Sequence, residues 1–109
     1  MAALDALSFF EESGRAGILL NSRIRRRRAN FSLAHEMGHI FLGHGAAMPF
    51  RRAYERRDAE RAANAFAAEI TMPEALRDLC HWSVSNLSVV CDVSRQAAEI
   101  RLREWRHSC

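Results

Sequence analysis

Residues 30–41 read Asn-Phe-Ser-Leu-Ala-His-Glu-Met-Gly-His-Ile-Phe, and this stretch decides how the chain around it folds. Its apolar side chains recur every three or four residues, which is the spacing of one face of an α-helix. Asn30 or Ser32 can cap the start of that helix, and Gly43 and Gly45 can end it. We therefore predict an amphipathic helix over this stretch.

Two histidines and a glutamate lie within the predicted helix in the pattern H-E-x-x-H. His35 and His39 are four residues apart, so a helix places both on one face, where each can offer a ring nitrogen to one metal ion. Zinc is the usual metal for such a pair. Glu36 lies about 100° round the helix from His35, where its carboxylate can take a proton from metal-bound water. This pattern indicates a zinc-dependent hydrolase.

The third zinc ligand must come from outside the motif, because a catalytic zinc usually has three protein ligands and one water. In the metzincin pattern H-E-x-x-H-x-x-G-x-x-H, position 42 is glycine and position 45 is histidine. This chain has Leu42 and Gly45 there, so it does not follow that pattern. His44 is one residue out of register, and we interpret it as a residue at the end of the helix.

The second predicted helix offers a better third ligand. Glu60 is the best candidate, because Asn64 lies four residues later on the same helical face. Asn64 can accept the second ring N–H of a metal-bound histidine or hold the Glu60 carboxylate. Glu55, Asp58 and Glu69 stay open as alternatives, and Glu60 can also be an ordinary solvated glutamate.

Shorter patterns predict the remaining elements. Residues 4–12 suggest a short helix, and the apolar run at 17–21 suggests a strand. We expect that strand to lie at a sheet edge, where an extended peptide can add to it through backbone hydrogen bonds; its substrate-binding residues would be Ile18, Leu19 and Leu20. Further helices are predicted from about residue 53 or 58 to 70, from 71 to about 80, and over 85–105 with a break near 92–94 capped by Ser94.

Length and composition favour one cytoplasmic domain. The 109 residues are 49% hydrophobic, which suits one modest core, and the N-terminus is too polar for a signal peptide or a membrane span. The three cysteines, Cys80, Cys91 and Cys109, form no C-x-x-C pair and are expected to be reduced thiols without a function.

The basic residues raise a rival from a different class, a DNA-binding or partner-binding regulator. All sixteen are arginines, and Arg23 and residues 25–28 form a run that can meet phosphates or an acidic partner, although such runs are usually solvated surface. Residues 86–105 resemble a helix-turn-helix, but acidic residues are mixed among the arginines of the second helix. Two helices packed on the core explain this pattern equally well, so we do not expect nucleic acid as a partner. A metal-bound but inactive module that grips a repressor is a third possibility.

Three stretches together resemble the ImmA/IrrE family of bacterial and phage metallopeptidases, a gluzincin-like group. Residues 17–21 look like its edge strand, and residues 28–39 look like its helix R-x-x-F-[ST]-x-A-H-E-x-G-H. Residues 60–73 look like its segment E-x-x-A-N-x-F-A-x-x-x-x-M-P. The resemblance covers about residues 17–106, because the C-terminal helices are also similar to those that close the family's domain.

The resemblance implies a compact, mostly helical α+β fold, the minimal zincin, as a single domain over residues 1–109. Its core would be residues 17–73, followed by a C-terminal helical segment, 74–109. Zinc would be bound by His35, His39 and Glu60, with Glu36 as the general base. The family's characterised members cut helix-turn-helix repressors of the XRE type, so such a repressor or antitoxin is the expected substrate and partner. The sequence leaves the oligomeric state open.

Overall fold

The computed structural model describes residues 5–43 and 53–107, which form two strands and four α-helices. In chain order these are β1 (Ala6–Phe10), β2 (Ala16–Leu20), α1 (Arg26–Phe41), α2 (Ala53–Thr71), α3 (Val84–Cys91) and α4 (Arg95–His107). One turn of 3-10 helix, Glu74–Leu76, lies between α2 and α3. The architecture is α+β and mostly helical with a small antiparallel sheet, which confirms the predicted fold class.

Residues 5–20 form a β-hairpin, so the short N-terminal helix predicted over 4–12 is wrong for its described residues. β1 pairs with β2 in antiparallel register, with Phe9 opposite Gly17. The Phe9 ring covers Gly17 so closely that a side chain at that position would collide with it. Gly14 closes the turn with a positive φ of 89°. Cross-strand pairing therefore outweighs the local helical pattern, and the strand predicted at 17–21 is confirmed as β2.

α1 begins at Arg26, earlier than the predicted starts at Asn30 or Ser32. Asn30 donates to the Asp92 carbonyl at 2.9 Å instead of capping the helix. Ser32 likewise donates to Asp5, at 3.1 Å. Contacts with distant parts of the chain thus extend the helix beyond the start that local capping signals suggest.

The end of α1 follows the sequence more closely. The helix ends at Phe41, and Gly43 follows with a φ of 76° while its N–H donates to the Ile40 carbonyl at 3.1 Å. This is a glycine-dependent helix end, as predicted for Gly43. Gly45 lies outside the described residues.

α1 and α2 cross at small residues, which lets the two backbones approach closely. Gly38 of α1 is buried, and a Cβ atom built there would lie 3.1 Å from Phe66 and 3.2 Å from the Cα of Ala63. Ala63 and Ala67 are fully buried in α2. The bulk of a larger residue at Gly38 or Ala63 would separate the helices.

The C-terminal helices pack on the main hydrophobic cluster of the described residues. Its buried members are Met72, Leu87, Val93, Ala98, Leu102 and Trp105, and Phe31 of α1 packs against them. Arg101 is also buried; it donates to the Met72 carbonyl at 2.9 Å and to Glu69 at 2.8 Å. These contacts join α4 to the end of α2.

The helix predicted from 71 to about 80 is mostly wrong, because only Glu74–Leu76 forms a helical turn. α2 continues to Thr71, and Pro73 then stands in an extended conformation before the turn. Trp82 donates its ring N–H to the Leu76 carbonyl at 2.7 Å, which closes the segment onto itself. The chain uses these residues to change direction.

The break predicted near 92–94 is confirmed. α3 ends at Cys91, the following residue Asp92 has a left-handed φ of 53°, and Val93 is fully buried. Ser94 accepts a hydrogen bond from the Ala97 N–H at 3.1 Å, so it caps α4 as predicted.

The described residues include two of the three cysteines. Cys80 and Cys91 are free thiols, burial raises the pKa of the Cys91 thiol, and Cys109 lies outside the described residues. None of the described helices combines the length and the apolar character needed to cross a bilayer.

Replacing Gly38 with valine should destabilise the fold, because the new side chain enters space that α2 already fills. We expect a loss of about 1–3 kcal/mol in the free energy of unfolding, measured by urea denaturation. Leu33→Val is the matched control, since it places the same branched side chain on an exposed position of α1. Equal losses in the two variants would contradict the close approach of the helices at Gly38.

Candidate metal centre

The packing of α1 on α2 brings His35, His39 and Glu60 together. The Nε2 atoms of the two histidines are 3.1 Å apart, and each is 2.9 Å from a Glu60 carboxylate oxygen. The two imidazole rings meet edge to face, with their centroids 4.7 Å apart. His39 is buried, His35 is partly buried, and Glu60 is half exposed. The cluster therefore has a protein side and a side open to solvent.

This donor set fits a zinc ion. Two imidazole nitrogens and one carboxylate are a ligand set of catalytic zinc sites, which leave a fourth position open. Zinc bonds of about 2.0–2.2 Å put tetrahedral ligand atoms about 3.4 Å apart. The separations of 2.9 and 3.1 Å are only slightly shorter, so a small outward movement of the three side chains would make room for the ion.

The other carboxylates of α2 do not join this cluster. Among the described residues, the three that could hold a metal ion together are His35, His39 and Glu60. Glu69 accepts hydrogen bonds from Arg101 and from the Glu74 backbone N–H, so its carboxylate stabilises the fold. The geometry therefore favours Glu60 over the alternatives left open by the sequence, while its role as a ligand stays a prediction.

Glu36 lies against the hairpin. Its Oε1 atom accepts a hydrogen bond of 2.8 Å from the backbone N–H of Ser8, in the middle of β1. The Glu36 side chain is therefore held by a strand edge, one residue along α1 from the predicted ligand His35.

The edge of β1 that faces Glu36 is the outer edge, on the side away from β2. The Glu11 N–H donates to the Arg15 carbonyl at 2.8 Å, and the Asp5 carbonyl accepts from Asn21 at 2.8 Å, so odd-numbered residues of the first strand face the second. The backbone groups of even-numbered residues, including Ser8, then point to the outer edge. This outer edge, where Ser8 is buried and bonded to Glu36, borders the predicted catalytic site.

The residues predicted to bind substrate lie one strand further from Glu36 than β1 does. Ile18, Leu19 and Leu20 are in β2, where Ile18 is opposite Ser8. Leu19 and Leu20 are exposed. Their role in substrate binding stays a prediction, and the structure places β1 as the strand that contacts Glu36.

Asn64 lies one turn after Glu60 in α2 and is exposed. With Ser32 and Arg61 it borders a cavity of 660 Å³ between α1, α2 and α4. Its contact with a ligand of the metal stays a prediction. His44 lies outside the described residues.

Sequence reasoning missed the contacts that fix the hairpin on α1. Arg28 donates to both carboxylate oxygens of Asp5 at 2.7 Å, and Ser32 also donates to Asp5. The Arg28 guanidinium, assisted by the Ser32 hydroxyl, holds the pKa of Asp5 below its usual range. This anchor sits at the start of β1, three residues before Ser8. A hairpin predicted over residues 5–20, with its turn at Gly14, would have included β1. It would not have shown that Asp5 binds Arg28 of α1.

One known protein family matches most of the chain. Residues 2–103 match the model of a peptidase family described as the IrrE N-terminal-like domain. No curated protein and no solved structure matches the chain.

Removing the Glu60 carboxylate should weaken zinc binding, because two histidines alone hold the ion poorly. We expect Glu60→Gln to lower zinc affinity at least about 10-fold, measured by competition with a chromogenic chelator. Asp58→Asn removes an exposed carboxylate from the same helix and should leave the affinity unchanged. A Glu60→Gln variant that binds zinc like the parent chain would show that the third ligand is another group.

Proposed function

The chain belongs to the family of IrrE N-terminal-like peptidase domains, and from that premise we propose that it is a zinc-dependent endopeptidase that cuts an XRE-type repressor or antitoxin. The observation that carries the peptidase assignment is the convergence of His35, His39 and Glu60 at 2.9 to 3.1 Å. The resemblance of residues 28–39 and 60–73 to the ImmA/IrrE motifs supports the substrate class.

His35, His39 and Glu60 would hold the zinc ion. When bound, zinc supplies a water of lowered pKa and polarises a carbonyl oxygen. Glu36 takes a proton from the attacking water as the water oxygen bonds to the peptide carbonyl carbon. The same carboxylic acid then gives the proton to the leaving nitrogen as the C–N bond breaks. One residue therefore moves the proton in both halves of the reaction.

The outer edge of β1 is suited to hold the substrate. An extended peptide can pair with the outward backbone groups of β1, which places its scissile bond beside Glu36 without requiring a particular sequence. Such a peptide would take the Ser8 N–H that Glu36 accepts in the structure, and the carboxylate would then turn to the attacking water. Substrate docking and release of the general base would be one event.

The Glu36→Gln variant should keep zinc and lose proteolysis, because the ligands survive while the base does not. We expect cleavage to fall by about 10²–10⁴-fold with one zinc retained per chain. The test incubates zinc-loaded protein with a peptide library digested from a bacterial proteome and with XRE-type repressors, and mass spectrometry identifies new termini.

Two outcomes would contradict the assignment. Cleavage by Glu36→Gln at the parent rate would mean that another residue is the base. A parent protein that forms a stable complex with a repressor but cuts neither it nor any library peptide would instead be an inactive module that only grips its partner.

Replacing Ser8 with proline should weaken cleavage, because it removes the N–H at the centre of the outer edge of β1. Loss of one backbone hydrogen bond to the substrate, about 1 kcal/mol, corresponds to about 5- to 10-fold in kcat/KM. Ser8→Ala keeps the N–H and is the matched control. Zinc affinity and a thermal melt establish that both variants fold. Unchanged cleavage in folded Ser8→Pro would contradict docking on this edge.

A further inference from the structure

A strongly basic cleft lies at the opposite end of α1 from the metal centre. It measures 660 Å³ and is formed by the segment before α1, the first turn of α1 and the start of α4. We call it the arginine cleft; the residues of interest in its lining are Arg23, Arg25, Arg26, Arg27, Arg28, Arg95 and Ser94. Arg28, the cleft residue nearest the metal centre along α1, is seven residues before His35, about 10 Å along the helix axis, and the two linings share no residue.

Positive charge dominates the cleft even after its ion pairs are counted. Asp92 pairs with Arg26 at 2.9 Å and with Arg27 at 3.3 Å, and Asp5 pairs with Arg28 at 2.7 Å. Six guanidiniums therefore face two carboxylates. In the described part of the chain, no carboxylate forms an ion pair with the remaining arginines: Arg23, Arg25 and Arg95.

Two helix N-termini add to this potential. α1 begins at the cleft with no side-chain cap and no acidic residue of its own in its first turn, and the nearby Asp92 carboxylate is bound by the side chains of Arg26, Arg27 and Asn30. α4 also begins there, at Arg95, directly after its cap Ser94. The positive ends of both helix dipoles thus lie in the same cleft as the arginines.

The arrangement of α3 and α4 identifies the kind of anion that fits. The two helices are joined by three residues: Asp92 in a left-handed conformation, buried Val93 and the cap Ser94. This is the layout of a helix-turn-helix, in which the N-terminus of the second helix approaches a DNA groove and its backbone. Arg95 and Gln96 are exposed at that N-terminus, and the one acidic residue of the next turn, Glu99, is bonded to Arg103 at 3.3 Å.

We propose that the arginine cleft binds the phosphate backbone of duplex DNA, with the start of α4 at the groove edge. A row of arginines matches phosphates at regular spacing, and the helix-turn-helix layout favours a duplex over an acidic peptide. The sequence raises DNA binding only as a rival reading, because the arginine run and residues 86–105 are separate features there. The structure joins them in one cleft through Asp92, which belongs to residues 86–105 and accepts hydrogen bonds from Arg26 and Asn30 of α1. DNA binding here does not depend on zinc or on peptidase activity.

The test measures the fluorescence anisotropy of a labelled duplex of about 20 base pairs with the full chain at about 50 and 200 mM salt. Four uncompensated charges predict a slope near −3.6 for log affinity against log salt, or a loss of about 100-fold over this range. Replacing both Arg23 and Arg25 with glutamine should reduce the slope by about half and weaken binding at low salt.

The matched control replaces Arg56 and Arg57, two exposed arginines of α2, with glutamine. It has the same net charge as the cleft variant and should bind DNA like the parent. Equal weakening of both variants would show that net charge alone attracts the duplex, and no binding at 50 mM salt would exclude the site. A polyglutamate chain that displaces the duplex from the cleft at equal charge concentration would overturn the proposal in favour of an acidic protein partner.

Discussion

The close approach of α1 and α2 at Gly38 is the constraint on which the candidate site depends. His35 and His39 come from one helix and Glu60 from the other, so their separations of 2.9 to 3.1 Å exist only while the two backbones keep this distance. Gly38 lies between the two histidines in sequence, on the side where it meets Phe66 and Ala63. The motif therefore carries both the chemistry and the small residue that lets the second helix supply its carboxylate.

Three arginines of the run attach the hairpin and the C-terminal helices to α1. Arg28 binds Asp5 and so fixes the start of the hairpin, while Arg26 and Arg27 bind Asp92 and fix the turn between α3 and α4. Arg26 is the main cause of the lowered pKa of Asp92. The ion pairs of Asp5 and Asp92 stabilise the fold above the carboxylates' unfolded pKa of about 3.9, and that contribution is lost as pH falls through the lower folded pKa.

Periodic patterns in the sequence predicted the elements that local apolar spacing and caps determine. The other elements depend on contacts with distant residues, which the patterns do not show. The bodies of α1 and α2, the break before Ser94 and the strand at 17–21 follow from apolar spacing and caps in the sequence itself. β1 did not, because its pairing with β2 and its Asp5 anchor come from residues 6 to 23 positions away. Distant contacts also explain why α1 starts earlier than predicted, because its start depends on Asp92 and Asp5 rather than on a local cap. For the candidate site, the histidine pair was evident from spacing, Glu60 was one of several carboxylates, and the Ser8 contact with Glu36 could not be seen without the register of the hairpin.

Asp92 shows how one residue serves both the fold and the surface. A left-handed φ of 53° favours glycine, and asparagine or aspartate are the next most tolerant residues. Glycine would satisfy the backbone but would leave Arg26, Arg27 and Asn30 without the side chain they contact. The small conformational cost of aspartate is therefore offset by a carboxylate that ties α4 to α1. That tie places the start of α4 beside the arginines, so the basic cleft is a consequence of how the C-terminal helices are attached to the metal-binding helix.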